Sequence, residues 1–326
     1  MMHERPLVTF FLVTYNQERY VREAIEGAFS QTYSPLEIVI SDDCSRDGTY
    51  GVIEEMCAAY EGPHRVVLNR NEQNLGLIGH INKIDSLASG ELIVYAAGDD
   101  VSLPERTRKI VERYLESGKR ILSIHSDVEL IDIAGNRSGC RVPPVIRDAM
   151  TLEDMVICTA MTIGATAGFT KDLQRAFGPI RYPRAIEDLV MGLRSALNGG
   201  LEYIPEPLVR YRYESGITAI PDSRRQIFAT KVQREVSELE MHLAVYAQRR
   251  LDIIVAARLE LLPILKAARD RKLLQRKVFV GNCGVLRLFA YASKRGLSGV
   301  LFKAWMRRKK WQVFFPLKGL MKSRSC

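Results

Sequence analysis

Three pairs of adjacent carboxylates stand where the 326-residue chain changes direction: Asp42-Asp43 after the apolar run LEIVIS, Asp99-Asp100 after LIVYAAG, and Glu187-Asp188 after Tyr182-Pro183-Arg184. A carboxylate at the end of a rigid strand, beside residues small enough to let phosphate approach the backbone, can hold a divalent cation against a diphosphate. The cation neutralises the negative charge that grows as the diphosphate departs. Tyr95-Ala96-Ala97-Gly98-Asp99-Asp100 has this form, with Asp99 as the metal ligand. Taken alone, Gly-Asp-Asp also reads as a turn or a helix cap, and Glu187-Asp188 as acids stabilising a helix N-terminus through its dipole. Other chemistries lack their groups. His80 and His125 are the only histidines near the pairs and are assigned no role. There is no Gly-x-Gly-x-x-Gly and no Walker-type loop, so the phosphate cradle of a dinucleotide dehydrogenase or a P-loop kinase is missing. Six scattered cysteines without a Cys-x-x-Cys argue against zinc and against a disulfide framework, and read as reduced thiols.

The elements that must position these acids alternate. Residues 7–13 and 36–41 are apolar, strand-forming runs, each followed by a polar turn and a helical stretch (Glu18–Ser30, Tyr50–Tyr60). Arg65–Asn69 and Glu91–Ala96 repeat the strand signal, with helices expected over Gly79–Ala88 and, opened by proline, over Pro104–Glu116. Such alternation predicts an α/β fold with a mainly parallel sheet flanked by helices, whose ligands bind at the carboxyl ends of the strands. Asp42, Asp43, Asp99 and Asp100 all fall there. Further on, ILSIHSDVELI and Ile163–Phe169 read as strands, Thr151–Cys158 and Glu187–Asn198 as helices, and 224–262 as a long helix with an apolar stripe ending or kinking before Pro263.

As an ordered set, these segments resemble glycosyltransferase family 2. The set comprises Val13-Thr14-Tyr15-Asn16, Ser30-Gln31-Thr32-Tyr33, Ile40-Ser41-Asp42-Asp43-Cys44-Ser45-Arg46-Asp47-Gly48-Thr49, Asn74-Leu75-Gly76 with Asn82, Ser89-Gly90-Glu91, and Gly98-Asp99-Asp100 with Pro104. The likeness covers about residues 6–215. It implies a GT-A fold, which is Rossmann-like, and inverting transfer of a sugar from a nucleotide diphosphate sugar to an acceptor hydroxyl with Mg2+ or Mn2+ as cofactor. It further implies that Asp42 contacts the nucleotide base, that Thr9 or its neighbours line the same pocket, and that Asp99 is the metal-binding second acid of an Asp-x-Asp whose first acid is here Ala97. Thr14, Asp43, Asn82 and Asp100 join the expected nucleotide-sugar site. Asp188 of the Glu-Asp pair is the expected base that takes the acceptor's proton. Arg212, preferred over Arg210 at the end of Pro207-Leu208-Val209-Arg210-Tyr211-Arg212, is expected to pair with diphosphate or with Asp188; an ordinary ion-pair role is the alternative.

The net charge of +9 is a property of the tail. Residues 271–326 hold 15 Lys or Arg and no Asp or Glu, while the rest of the chain is net acidic. Aromatic and aliphatic residues from Val285 to Phe315 interleave with these cations, as suits a helix in an anionic membrane interface, although a helix packed on the catalytic domain also fits. No nucleic-acid module matches. No run of about 18 apolar residues occurs, so neither a spanning helix nor a secretory signal is expected, and the protein is placed in the cytoplasm, peripheral to the membrane's inner face. The expected organisation is a GT-A catalytic domain over 1–221, a helical extension over 222–275 and a basic amphipathic tail over 276–326. The donor is expected to be a UDP-sugar and the acceptor a saccharide or lipid-linked, in bacterial-type cell-surface polysaccharide synthesis. The alternatives are a metal-dependent nucleotidyltransferase or sugar-nucleotide hydrolase, and a non-catalytic membrane-associated protein derived from the fold.

Overall fold

A computed structural model describes residues 5–213, 228–281 and 284–314. The chain opens with β1 (Val8–Thr14), α1 (Val21–Phe29), β2 (Leu36–Asp42), α2 (Thr49–Ala58), β3 (Arg65–Arg70), α3 (Gly76–Asn82), α4 (Ile84–Leu87) and β4 (Leu92–Ala97). All seven residues of β1 and of β2 are buried, because β1 sits between β2 and β4 with helices over both faces. The pairings β3-β2-β1-β4 are parallel and in register, so Thr14 lies opposite Asp42, Asp42 opposite Arg70, and Val13 opposite Ala97. One edge of the sheet therefore collects the carboxyl ends of four strands.

The second half runs β5 (Val101–Ser102), α5 (Arg106–Glu116), β6 (Ser123–Ile131), β7 (Arg137–Arg141), α6 (Pro144–Arg147), α7 (Leu152–Ile157), β8 (Gly168–Thr170), α8 (Lys171–Phe177), α9 (Glu187–Leu197) and β9 (Leu201–Arg212). The sheet order is β3-β2-β1-β4-β8-β6-β9-β5, with β7 on β6. Parallel pairing dominates, and β8, β5 and β7 add antiparallel edges and insertions. Short polar devices fix the joints. Gln31, buried, donates to the Gly27 and Leu103 carbonyls and accepts from the Thr107 N–H and hydroxyl, locking α1 to α5. Thr151 and Asp154 form a reciprocal capping box at the start of α7.

Two expected elements differ. The strand expected over Ile163–Phe169 begins as a 3-10 turn at Gly164–Thr166, because the Thr166 hydroxyl and N–H both donate to the Ile163 carbonyl, at 2.8 and 2.9 Å. The helix expected over Gly79–Ala88 divides at Lys83, whose N–H reaches back three residues to His80.

Helices α10 (Phe228–Val255), α11 (Leu262–Val280), α12 (Val285–Ser293) and α13 (Ser298–Phe314) follow. The expected helix start at 224–227, the last residues of the basic tail, and Cys283 and Cys326 lie outside the described residues. Helix α10 is joined to α9 by a buried ion pair, Arg194 Nη2 to Asp252 Oδ1 at 3.1 Å, each side chain about 1% exposed. Burial raises the Asp252 pKa even with Arg194 beside it, so desolvation outweighs attraction here and removing one partner strands the other. Asp252→Ala should lower unfolding free energy by about 3–5 kcal/mol, read as a reduced urea midpoint. Replacing both, Arg194→Met with Asp252→Leu, should recover most of the loss.

Candidate functional site

At the collecting edge, Asp42 is fully buried. Its Oδ1 accepts from the Thr14 hydroxyl (3.0 Å) and the Ser45 hydroxyl (2.5 Å), and its Oδ2 from the Ser45 N–H (2.8 Å). Asp43 Oδ1 accepts from Asn71 Nδ2 (2.7 Å) and the Leu75 N–H (2.9 Å), which holds the Asn74-Leu75-Gly76 turn against β2. Both acids thus organise the loops around them, and Thr14 belongs to the same cluster. Beside them, Asn16, Gln17, Glu18, Arg19, Tyr20 and Asp47 line a cavity of about 520 Å³.

The Asp99-Asp100 turn follows β4 directly. Gly98 donates its N–H to the Val13 carbonyl, and a Cβ there would fall 2.5 Å from Gln17 Oε1 and 2.8 Å from Thr14 Cγ2, so the close approach to β1 requires glycine. Arg212, 1% exposed, is built into this turn. Its N–H donates to Asp100 Oδ1 (2.8 Å), Nε to the Asp99 carbonyl (3.1 Å), Nη1 to the Asp132 carbonyl (2.8 Å) and Nη2 to Glu23 (3.0 Å), and the guanidinium lies 4.6 Å over the Tyr20 ring. Burial first, then the charge of Asp99, pushes the Asp100 pKa well above its ordinary value; Arg212 and Arg106 oppose the shift.

Glu187 and Asp188 begin α9. Glu187 Oε2 and Asp188 Oδ1 are buried and have no hydrogen-bond partner among the described residues. Burial drives both above the ordinary carboxylate range. Glu187 is pushed further by the charge of Asp188, whereas Asp188 is drawn back by the N–H groups of Leu189 and Gly164 and by Arg249. The charges of Glu187, Asp99, Asp100 and Asp188 all bear on the buried Tyr95 hydroxyl, adding to a pKa that burial already holds far above normal. The second and third acid pairs therefore share one site. Gly164 closes it from the other side, since a Cβ there would sit 2.6 Å from Glu187 Oε1.

A sequence model described as Glycosyl transferase family 2 matches residues 9–164. EpsE of Bacillus subtilis, which carries a glycosyltransferase name, is 30% identical over 215 residues, 66% of this chain and 76% of that protein. The chain belongs to glycosyltransferase family 2. Succinoglycan biosynthesis protein ExoO of Rhizobium meliloti is 35% identical over 216 residues, 64% of this chain and 60% of that one. Among solved structures, S. aureus TarS 1-349 in complex with UDP-GlcNAc superposes with a TM-score of 0.56 at 15% identity, covering 94% of this chain and 91% of that one. The mannosyltransferase PcManGT from Pyrobaculum calidifontis, in complex with GDP-Man and Mn2+, gives 0.54 at 17% identity, covering 94% and 88%. These likenesses bear out the α/β glycosyltransferase fold expected from sequence.

Three expected site residues of this glycosyltransferase stand elsewhere or act otherwise. Thr9 lies near the amino end of β1, roughly 17 Å along the strand from Thr14, where its hydroxyl donates to Glu37 and accepts from the Gly90 N–H. Strand direction alone removes it from the ligand edge. Asn82 uses its carbonyl and amide on the N–H and carbonyl of Ile180, pinning the segment before α9. Arg212 forms an ion pair with the half-exposed Glu23, the alternative role, and clamps the Asp99-Asp100 turn.

Sequence reasoning overlooked Arg106 and Arg249. Arg106, fully buried in the first turn of α5, donates to the Tyr95 and Ala167 carbonyls and to Ser102. Arg249, fully buried on α10, donates to the carbonyls of Leu189, Val156 and Cys158. A lone arginine in a helical pattern carries no signal of its own, although Arg249 lies next to the apolar stripe positions and so on the inward side.

Among the described residues no group of three His, Cys, Asp or Glu side chains is set to enclose a metal ion. Ala97 adds no polar group to the turn. One carboxylate supplemented by phosphate oxygens is nevertheless a normal donor set for Mg2+ or Mn2+, and a cation there would relieve the repulsion between Asp99 and Asp100 that helps raise the Asp100 pKa. The residues present fit a metal held jointly with a ligand.

The elevated Glu187 pKa has a stability consequence. Above about pH 4.3 the unfolded chain releases this proton while the folded protein retains it, so the folded state is progressively disfavoured as pH rises toward the raised value. Glu187→Gln should therefore stabilise the protein at pH 8 by at least about 1 kcal/mol, with the difference smallest below pH 4, as read from urea unfolding across pH.

Proposed function

We propose that this glycosyltransferase is an inverting, metal-dependent enzyme that transfers a sugar from a nucleoside diphosphate donor, a UDP-sugar for preference, to an acceptor hydroxyl in cell-surface polysaccharide synthesis at the cytoplasmic side. The observation that carries the reading is the Asp188 carboxylate, whose buried Oδ1 has no hydrogen-bond partner among the described residues and which, like Asp99, acts on the Tyr95 hydroxyl. Asp42 and Asp43 hold the loops that receive the nucleotide, with Asp42 supplying the base contact and Thr14 supporting it. Asp99 is the ligand for Mg2+ or Mn2+, which when bound supplies positive charge to the diphosphate oxygens. Arg212 holds the turn at its height, and Asp100 anchors that clamp.

Asp188 takes the proton of the acceptor hydroxyl as its oxygen attacks the anomeric carbon from the face opposite the departing diphosphate. One displacement inverts that centre. Desolvation of the Asp188 carboxylate raises its proton affinity above that of an ordinary carboxylate, which suits it to take a proton. The names of relatives support the substrate class: ExoO is a succinoglycan biosynthesis protein, and both solved neighbours hold nucleotide sugars. The acceptor in this reading is a saccharide, free or lipid-linked.

Thermal shift with a panel of nucleoside diphosphates, with and without Mn2+, tests the donor half. One nucleotide should stabilise the wild type only with metal, by about 2.7 kcal/mol at a hundredfold excess over Kd, and Asp99→Ala should abolish the effect. Asp188→Asn should keep that stabilisation while transfer to acceptor falls about a hundredfold or more. Loss of nucleotide binding in Asp188→Asn would overturn the assignment of the base, and release of free sugar without any acceptor requirement would favour a hydrolase. A bell-shaped profile of kcat/KM should show its acid limb above the ordinary carboxylate range, since activity needs Asp188 ionised and burial raises its pKa.

A further inference from the structure

Helices α12 and α13 each bury one face and leave the other bare. Ala292 of α12 and Leu301 and Ala304 of α13, with Leu297 between the helices, pack on Leu274, Val278 and Phe279 of α11, where Trp311 lies 5.3 Å from the Phe279 ring. On α12 the residues left outside are Val285, Leu286 and Phe289, exposed by 67%, 85% and 58%; on α13 they are Phe302, Trp305 and Met306, exposed by 63%, 47% and 47%. The spacings of one, three and four residues put each trio on a single helical stripe turned away from α11. Single exposed apolar side chains are ordinary on a protein surface, but two adjacent stripes of the largest ones are not.

Cations border both stripes. Arg287 and Lys294 on and after α12, and Lys303, Lys309 and Lys310 on α13, are exposed, and Lys309 lies 5.7 Å from the Trp305 ring. Other cations of the pair have protein partners: Arg295 pairs with Asp270, Arg307 with Glu235, and Arg308 donates to the Val278 carbonyl. The segment from residue 271 to the end holds 15 basic residues and no acid. No described helix is long and apolar enough to cross a membrane.

We propose that the α12–α13 pair is a docking surface for an anionic lipid membrane, lying in its plane with Leu286, Phe289, Phe302, Trp305 and Met306 among the acyl chains and the bordering cations on lipid phosphates. A second copy of this chain is a poorer occupant, because like charges would oppose each other across the contact. Nucleic acid would meet the cations but leave the apolar stripes in water. The surface is separate from the acid site and does not depend on which sugar is moved.

The experiment is co-sedimentation of the full chain with vesicles of phosphatidylcholine alone and with phosphatidylglycerol added, alongside tryptophan emission and quenching by brominated lipids. Binding should require the anionic lipid and weaken with salt, and emission should shift to the blue. That shift should vanish in Trp305→Phe, which retains Trp311. Phe302→Ser with Leu286→Ser, or Lys303→Glu with Lys309→Glu, should each weaken partitioning by about tenfold or more, with unchanged circular dichroism because all four side chains are exposed. Absence of binding to anionic vesicles overturns the proposal. So does binding without a Trp305 signal, or an emission shift that follows protein concentration without vesicles and so marks self-association.

Discussion

Everything in the active half of this molecule answers to one electrostatic constraint: several carboxylates are packed together away from water. Asp99 and Asp100 follow β4, and Glu187 and Asp188 open α9. The balancing charges are Arg106, Arg212 and Arg249, all buried and all held chiefly by peptide carbonyls. Carbonyl oxygens fix a guanidinium at a set distance and satisfy its N–H groups. The positive charge of these arginines draws back the raised pKa values, Arg106 and Arg212 acting on Asp100 and Arg249 on Asp188.

The sheet provides the second half of the solution. In-register parallel pairing of β3, β2, β1 and β4 brings Arg70, Asp42, Thr14 and Ala97 to one edge, so the donor loops are aligned by backbone geometry before any side chain acts. Asp188 arrives by a different route, through the turn at Gly164 and the helix it faces. The proposed donor side and the proposed proton acceptor are thus set by different parts of the chain. The buried Arg194–Asp252 pair and Arg249 then tie the acceptor side to α10.

Much of this was legible in the sequence because strand runs and acidic turns are local signals. The ends of β1, β2 and β4 fell where apolar runs met Thr14, Asp42 and Asp99. The resemblance put Thr9 or its neighbours in the nucleotide pocket, whereas the Thr9 hydroxyl serves a buried Glu37 at the other end of the strand. Asn82 and Arg212 were recognisable as polar residues at meaningful positions, but the partners that define their work, Ile180 and the Asp99 and Asp132 carbonyls, are 98, 113 and 80 residues away. Arg106 and Arg249 left no trace for the same reason: their partners are backbone atoms, and every residue type provides those. The split of Ile163–Phe169 into a 3-10 turn and a short strand followed from one threonine hydroxyl competing for a local carbonyl, a contest that strand propensity does not register.

Arg249 carries one more implication. The family match ends at residue 164, yet the arginine that grips the Leu189 carbonyl next to the proposed base stands 60 residues beyond Leu189, on a segment outside the sheet. In the proposed mechanism the part that receives the nucleotide and the contacts behind the base lie on separate parts of the chain and can diverge independently. Exchange of the C-terminal helices between relatives would retune the pH at which an acceptor reacts while leaving the donor loops as they were, so new acceptors become reachable without rebuilding donor recognition.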